Sequence, residues 1–338
     1  MTETSLLNEY QKLSPGVTKI FVLPQIPYLN RNTSYLYQLY KDFLEDSSFI
    51  KVDSFNASSL HKIFLSRIKS EKSILHYHWF EFEDLKSFIG IKWKLFWIIL
   101  FKLLGGKIIW TVHNYHPHHN KYIYWNLNTR RLMAKLADSL HIHCGSEIDR
   151  VAGILKVDKG KFFVVNHPDF PAEIFEKSKS IKLLNKKYFT EQLNADDKIF
   201  LMFGAIAEYK GIKEVMEIFK NLHEKNKLII AGFVKKGNLD YFNELKNLSD
   251  NRNIFLEGRL IPDEDVPYFL SSADYVIFNY RDILTSGGVV LALNYKKSVL
   301  VPYAGCLKEI KGNLINFFDM KESRKQNLKK LLITLSGK

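Results

Sequence analysis

Two cysteines in 338 residues, Cys144 and Cys306, are too few and too far apart for a disulfide framework, and they fit a reducing compartment. The most apolar segment, residues 88–104, is interrupted by lysines and holds no run near the ~20 residues that span a bilayer. The first residues, MTETSLLNEYQKLSPG, show no basic stretch followed by an apolar core, so no secretory signal is expected. There is no G-x-G-x-x-G after the first strand candidate, which argues against a dinucleotide oxidoreductase. Arg-rich runs and RNP-like motifs are missing too. The net charge of +13, from 49 basic and 36 acidic residues, therefore points to phosphorylated substrates or an acidic membrane surface rather than nucleic acid. These absences leave a cytoplasmic protein.

The composition is that of a folded chain, 46% hydrophobic and 25% charged, and long enough for two ordinary domains. Short β-rich runs alternate with helical periodicity in both halves. In the first half the strand candidates are 19–23, 73–79, 107–113, 139–144 and 161–165. In the second they are 198–203, 227–232, 253–258, 274–279 and 298–302. Such alternation predicts parallel sheets with right-handed crossovers. The connection falls in residues 167–197, with two prolines, many charges and weak periodicity; it separates a domain over 1–170 from one over 171–338. Two Rossmann-like α/β domains so joined are expected to face each other across a cleft at the carboxyl ends of their strands.

The second half carries two anion-friendly helix starts. Gly204 ends a buried strand and Lys210-Gly211 opens an amphipathic helix, aiming backbone N–H groups and an ammonium above the sheet. Thr285-Ser286-Gly287-Gly288 is a small-residue loop before an apolar helix, where amides and hydroxyls can reach phosphate oxygens, or where the serine is a plain N-cap. With Gly258-Arg259, Ala273-Asp274 and Ser298-Val299-Leu300, the order of these pieces over residues 198–310 resembles the donor domain of GT-B glycosyltransferases, especially those around family 4. The resemblance implies a two-Rossmann-domain GT-B fold. It also implies donor contacts from Gly204, Lys210, Gly211, Arg259 and residues 285–288. The sequence departs from that pattern where retaining members carry two glutamates: those places hold Leu284 and Ala292. Ala205 stands where an arginine is usual, and Arg281 or Arg259 is the candidate replacement cation. The departures favour an inverting outcome.

The first half offers a histidine cluster. His78 and His113 end neighbouring strand candidates, and an inverting transfer needs a base that is neutral near pH 7. His113 is the first candidate, His78 the second, with Glu81, Glu83 and Asp84 as alternatives. The TVHN segment followed by PH also resembles bacterial exopolysaccharide and mannosyl transferases. His113, His116, His118 and His119 lack metal-ligand spacing, so no metal and no cofactor are expected. His141 and His143 alternate on a strand and read as core or cleft lining. Asn30, Asn32 and Thr33, at a strand–helix junction, suit an acceptor sugar.

In residues 88–104, Trp93, Phe96, Trp97, Leu100, Phe101 and Leu104 share one helical face and Lys92, Lys94 and Lys102 the other. That pattern fits a helix packed on a sheet, or one lying on anionic lipid at the inner face of the cell membrane. The expected activity is transfer of a hexose from GDP-mannose or a UDP-sugar to a polysaccharide or lipid-linked oligosaccharide. The rival is a non-catalytic glycan-binding or scaffold subunit on the same fold.

Overall fold

In the computed structural model, residues 4–46, 48, 50–82, 84–116, 122–190, 192–250, 252–320 and 323–337 are described. The chain divides into two units, Met1–Pro168 and Asp169–Lys338. In the first, β1 (Lys19–Leu23), β2 (Lys51–Ser54), β3 (Ser73–Tyr77), β4 (Lys107–Thr111), β5 (Ser139–Ile142) and β6 (Phe162–Val164) pair in parallel, in the order β2-β1-β3-β4-β5-β6. In the second, β7 (Lys198–Phe203), β8 (Asn226–Ala231), β9 (Ile254–Glu257), β10 (Tyr275–Ile277), β11 (Ser298–Pro302) and β12 (Ile315–Phe318) pair in parallel, in the order β12-β11-β10-β7-β8-β9. The expected strands all form. β2 and β12, which the sequence pattern did not mark, are edge strands with partly exposed residues, so no continuous apolar run announces them.

Each sheet reverses its strand order once. The chain leaves β1 to one side for β2 and returns to the other side for β3; it leaves β7 for β8 and β9 and returns for β10. At such a switch point the loops after the two central strands diverge and leave a crevice. These loops are residues 24–34 and 78–84 in the first unit, and 204–211 and 278–286 in the second. Every functional candidate in the second unit except Arg259, and His78 and the Asn30–Thr33 group in the first, lies on them or just beyond.

The stretch of weak periodicity after residue 167 is not a loose connection throughout. Lys177–Leu184 is a helix that continues as a π-helical turn over Asn185–Phe189. Its Ile181, Leu184 and Phe189 join the core of the second unit. Lys177 donates to Asp274 at 2.7 Å, and the same carboxylate oxygen accepts the Ile199 backbone N–H at 2.7 Å. Asp274 thus ties the starts of β7 and β10 to this helix, a structural role.

The apolar helix spans Leu85–Leu103 and opens with a capping box between Asp84 and Ser87. Its buried line is Ile91, Ile98 and Phe101. Ile89, Trp93, Phe96 and Leu103, between 48% and 77% exposed, form a stripe on the outside. The expected arrangement is therefore largely reversed. Lys102 turns inward to Asp138 at 2.7 Å and Lys94 lies over the Tyr77 ring at 6.0 Å, while Lys92 stays exposed. A helix apolar nearly all round does not encode its inner face, and lysine stems can lie on apolar surface with the ammonium led to a partner. No described helix is long and apolar enough to cross a membrane.

β7 and β8 end in a close backbone approach. Gly232 has φ +151°, and a Cβ there would collide with the backbone of Gly204. Gly232→Ala should therefore destabilise the protein by roughly 1–3 kcal/mol. Chemical denaturation followed by fluorescence checks this; an unchanged midpoint would mean that the strand ends separate freely.

Candidate active site

In the second unit β7 hands over at Gly204, whose φ of +95° bends the chain and whose missing Cβ leaves room for the Lys210 ammonium. The helix does not begin at Lys210 as expected. Glu208–Lys210 is a short 3-10 turn, Gly211 adopts φ +60° as N-cap, and the helix runs Ile212–Phe219. A side chain on Gly211 would strike Asn279. Lys210 Nζ donates to the Phe203 carbonyl at 3.2 Å, and among the described residues no carboxylate pairs with it. Burial lowers its pKa to about 8. It lines a small pocket with Gly204, Ala205, Phe278, Asn279 and Tyr280 at the β7/β10 switch point.

The second anion-friendly element is built as a capped helix start. Ser286 Oγ accepts the Val289 N–H at 3.3 Å and lies 2.8 Å from the Tyr280 hydroxyl, and the helix runs Gly287–Asn294. Gly288 packs against Phe278, while Thr285, Gly287 and Gly288 are half-buried. Leu284 and Ala292, at the places of the two missing glutamates, are buried. The two candidate replacement cations are already engaged. Arg259 is held by both oxygens of Glu257 at 2.8 and 2.7 Å, and Arg281 reaches Glu208 and Glu214 at 3.3 Å each. Glu214 also binds Arg324 and accepts from Asn279 Nδ2 at 3.1 Å. This Glu214–Asn279–Arg324 knot under the pocket was not marked in sequence, because its members are 45 or more positions apart except through the fold.

In the first unit the period-2 histidines at strand ends stack in two tiers. The lower tier crosses three strands: His76 Nε2 is 2.8 Å from Thr111 Oγ1, which is 2.9 Å from His141 Nδ1. The upper tier is His78, His113 and His143, with His78 Nδ1 3.2 Å from His113 Nε2. The helix Tyr35–Glu45, N-capped by Ser34, supplies two phenols. Tyr40 lies 2.7 Å from His76 Nδ1 and 3.0 Å from His78 Nε2, while Tyr35 lies 3.0 Å from His143 Nε2. Trp79 stacks on His113 at 4.5 Å.

Burial lowers the pKa of His76 to about 3 and holds His78, His113, His141 and His143 well below the usual histidine value, with neighbouring histidines adding to the effect. The rings are neutral at pH 7. The alternative bases fare differently: Glu81 pairs with buried Arg130 at 3.2 Å, Asp84 caps a helix, and Glu83 lies outside the described residues. His118 and His119 lie outside them as well. Among the described residues no three His, Cys, Asp or Glu side chains form a metal-binding group. Asn30, Asn32 and Thr33 sit in the loop after β1, Asn30 and Thr33 half-buried and Asn32 exposed. Beside them Arg31 stacks over Tyr28 and Tyr37.

Two parallel six-stranded sheets, each with its own switch-point crevice, define the class: this is the GT-B architecture. Residues 185–334 match the family described as glycosyl transferases group 1, and with that fold the chain is a glycosyltransferase. Solved structures share the fold at low identity. Anabaena HepE in complex with UDP-glucose is 14% identical with a TM-score of 0.64, covering 95% of this chain and 91% of that one. Sucrose-phosphate synthase from Thermosynechococcus elongatus is 12% identical at 0.62, covering 95% and 90%. A glycosyltransferase from Rickettsia africae is 14% identical at 0.60, covering 94% and 87%. No curated protein matches in sequence.

The neutral histidine array makes the protein acid-labile. The unfolded chain binds protons at its histidines near pH 6.5 whereas the folded one resists them, so stability is lost as pH falls below about 6.5. Each such ring adds about 1.4 kcal/mol per pH unit within its window. Urea midpoints at pH 7.5 and 5.0 check this, and equal values would mean that the imidazoles are hydrated.

Proposed function

We propose that this glycosyltransferase moves a hexose from a UDP-sugar or GDP-mannose to a hydroxyl of a growing polysaccharide or lipid-linked oligosaccharide, with inversion and without a metal or cofactor. The observation that carries the reading is Lys210, a desolvated ammonium lacking a carboxylate partner among the described residues, at the β7/β10 switch point. A diphosphate supplies the missing negative charge. Gly204, Gly211 and the Thr285–Gly288 helix start add close backbone approach and amide donors. Arg281 and Arg259 serve the donor only by exchanging their carboxylates for it. A fold neighbour that holds UDP-glucose supports a uridine nucleotide.

On the acceptor side, Asn30, Asn32 and Thr33 hydrogen-bond the sugar and neutral His113 takes the proton of its attacking hydroxyl, with His78 behind it. The hydroxyl oxygen bonds to the anomeric carbon while the nucleoside diphosphate leaves with the bonding pair; the proton stays on His113 until solvent removes it. Inversion accords with Leu284 and Ala292 standing where retaining members have glutamates.

Lys210→Ala should cost a nucleoside diphosphate about 1.5–3 kcal/mol of affinity and the free nucleoside far less. In the wild type, diphosphate affinity should fall as pH rises through about 8, since the ammonium is the binding form; calorimetry showing equal losses for both ligands would remove Lys210 from the phosphate site. In the same assay His113→Ala should lower turnover roughly 10²–10⁴-fold with nucleotide affinity kept. Near-normal turnover in that variant and a large loss in His78→Ala would transfer the base to His78.

The place of work in this reading is the cytoplasmic face of an anionic membrane. It rests on the exposed Ile89-Trp93-Phe96-Leu103 stripe flanked by exposed Lys86 and Lys92. Trp93→Ser with Phe96→Ser should abolish co-sedimentation with anionic liposomes at low salt, with the thermal midpoint held. Binding that survives the double change would place the contact elsewhere.

A further inference from the structure

The β1–β2 edge of the first sheet is covered unequally on its two faces. Ile20 and Val22 of β1 join the core built with Leu36, Tyr37 and Tyr40 of the helix Tyr35–Glu45. The alternate residues Lys19 and Phe21 face the other way, as a period of two requires, with Asp53 of β2 beside them. On that side the helix His61–Ile68 packs on β3 and on the Leu85–Leu103 helix, so it walls the face without roofing it. What remains is a groove of about 510 Å³. It runs from Lys19, at the amino end of β1, to Gln25 and Tyr28 in the loop beyond its carboxyl end. The rise of the strand alone makes it roughly 13 Å long.

Both carboxylates of the groove are held by Lys19, Asp53 at 3.2 Å and Glu71 at 3.5 Å. Its other two ammoniums, on exposed Lys62 and Lys69, have no carboxylate partner among the described residues. Seven positions apart, they share one side of the helix, about 10 Å from each other along its axis. The loop end of the groove carries groups that suit sugar hydroxyls. The Gln25 side-chain oxygen accepts from Asn56 Nδ2 at 3.0 Å, which leaves its own NH2 group to donate. The Tyr28 ring, 49% exposed at the rim, offers a flat apolar face with a hydroxyl at its end. Arg31 lies over that ring at 5.8 Å, and its Nε donates to the Tyr28 carbonyl at 3.1 Å. The rim is thus tied to the loop that bears Asn30, Asn32 and Thr33.

We propose that this groove holds the already-built part of an acidic acceptor glycan, a chain bearing carboxylate groups, while its growing end lies at the Asn30–Thr33 loop. A long polar trough fits a chain, and two ammoniums about 10 Å apart match charges repeated along one. A free phosphate is compact and meets one of them at a time. A neutral glycan would leave both without a counter-charge. That the bound chain is the one extended rests on the acceptor reading given above; the binding of an acidic glycan to the groove does not.

The test is calorimetric titration of the full chain with tetragalacturonate and with maltotetraose, a neutral chain of the same length, in the absence of donor. The wild type should bind the uronate chain more tightly, with affinity falling as salt rises. Lys62→Gln with Lys69→Gln should weaken that binding roughly tenfold and flatten its salt dependence. Tyr28→Ala should weaken it at every salt concentration. Lys135→Gln with Lys156→Gln removes the same charge beyond β4, on the far side of the sheet order from β2 and β1, and should change nothing. Equal affinity of the wild type for the two chains, or no binding of the uronate chain, would overturn the proposal. So would full affinity in either groove variant, or an equal loss in the two double-lysine variants. Normal turnover in His113→Ala beside the expected titrations would instead remove the base reading and leave the groove standing.

Discussion

Parallel strand pairing is the constraint from which the rest follows. It puts the carboxyl ends of every strand in a sheet on one edge, so loops far apart in sequence open side by side. It also keeps neighbouring strands in one direction, so residues two apart on each strand repeat as rows across the sheet. With these side chains at one edge of the sheet, diagonal contacts join His76, Thr111 and His141 in one tier and His78 and His113 in the next. In an antiparallel sheet the same pairs would have been split between opposite edges.

Six polar side chains at the end of a sheet are costly to bury unless each finds a partner. The helix Tyr35–Glu45 meets that cost with two phenols, and the Val165 carbonyl takes two imidazole protons. Desolvation keeps the rings neutral. A neutral ring is the form a base requires. Half-buried His113 and Tyr35 and half-exposed Trp79 carry the array outward toward solvent.

The second unit arranges its charges differently from the family pattern it resembles. Glu214 gathers Arg281, Arg324 and Asn279 near the switch point, while among the described residues Lys210 has no carboxylate partner. Losing the two glutamates to Leu284 and Ala292 moves those positions into the core. In the proposed reading the donor therefore meets backbone amides and one ammonium rather than side-chain carboxylates.

The sequence alone determined the α/β class, the strands that become sheet interiors, the two glycine-bearing helix starts and the fact that histidines sit at strand ends. Each of these is a local signal: an apolar run, a glycine at a turn, a period of two. Tertiary structure decided what local signals do not contain. The edge strands β2 and β12 exist only because a neighbour pairs with them. The inner face of the Leu85–Leu103 helix was set by docking, since its apolar residues circle it. Arg259 and Arg281 read as free cations until the fold brought Glu257, Glu208 and Glu214 beside them. The partners of the histidines, Tyr10, Tyr40 and Thr111, gave no sign in sequence, because a hydrogen bond between residues 35 or more apart is written in no local pattern, only in the register of strands and the placement of a helix over them.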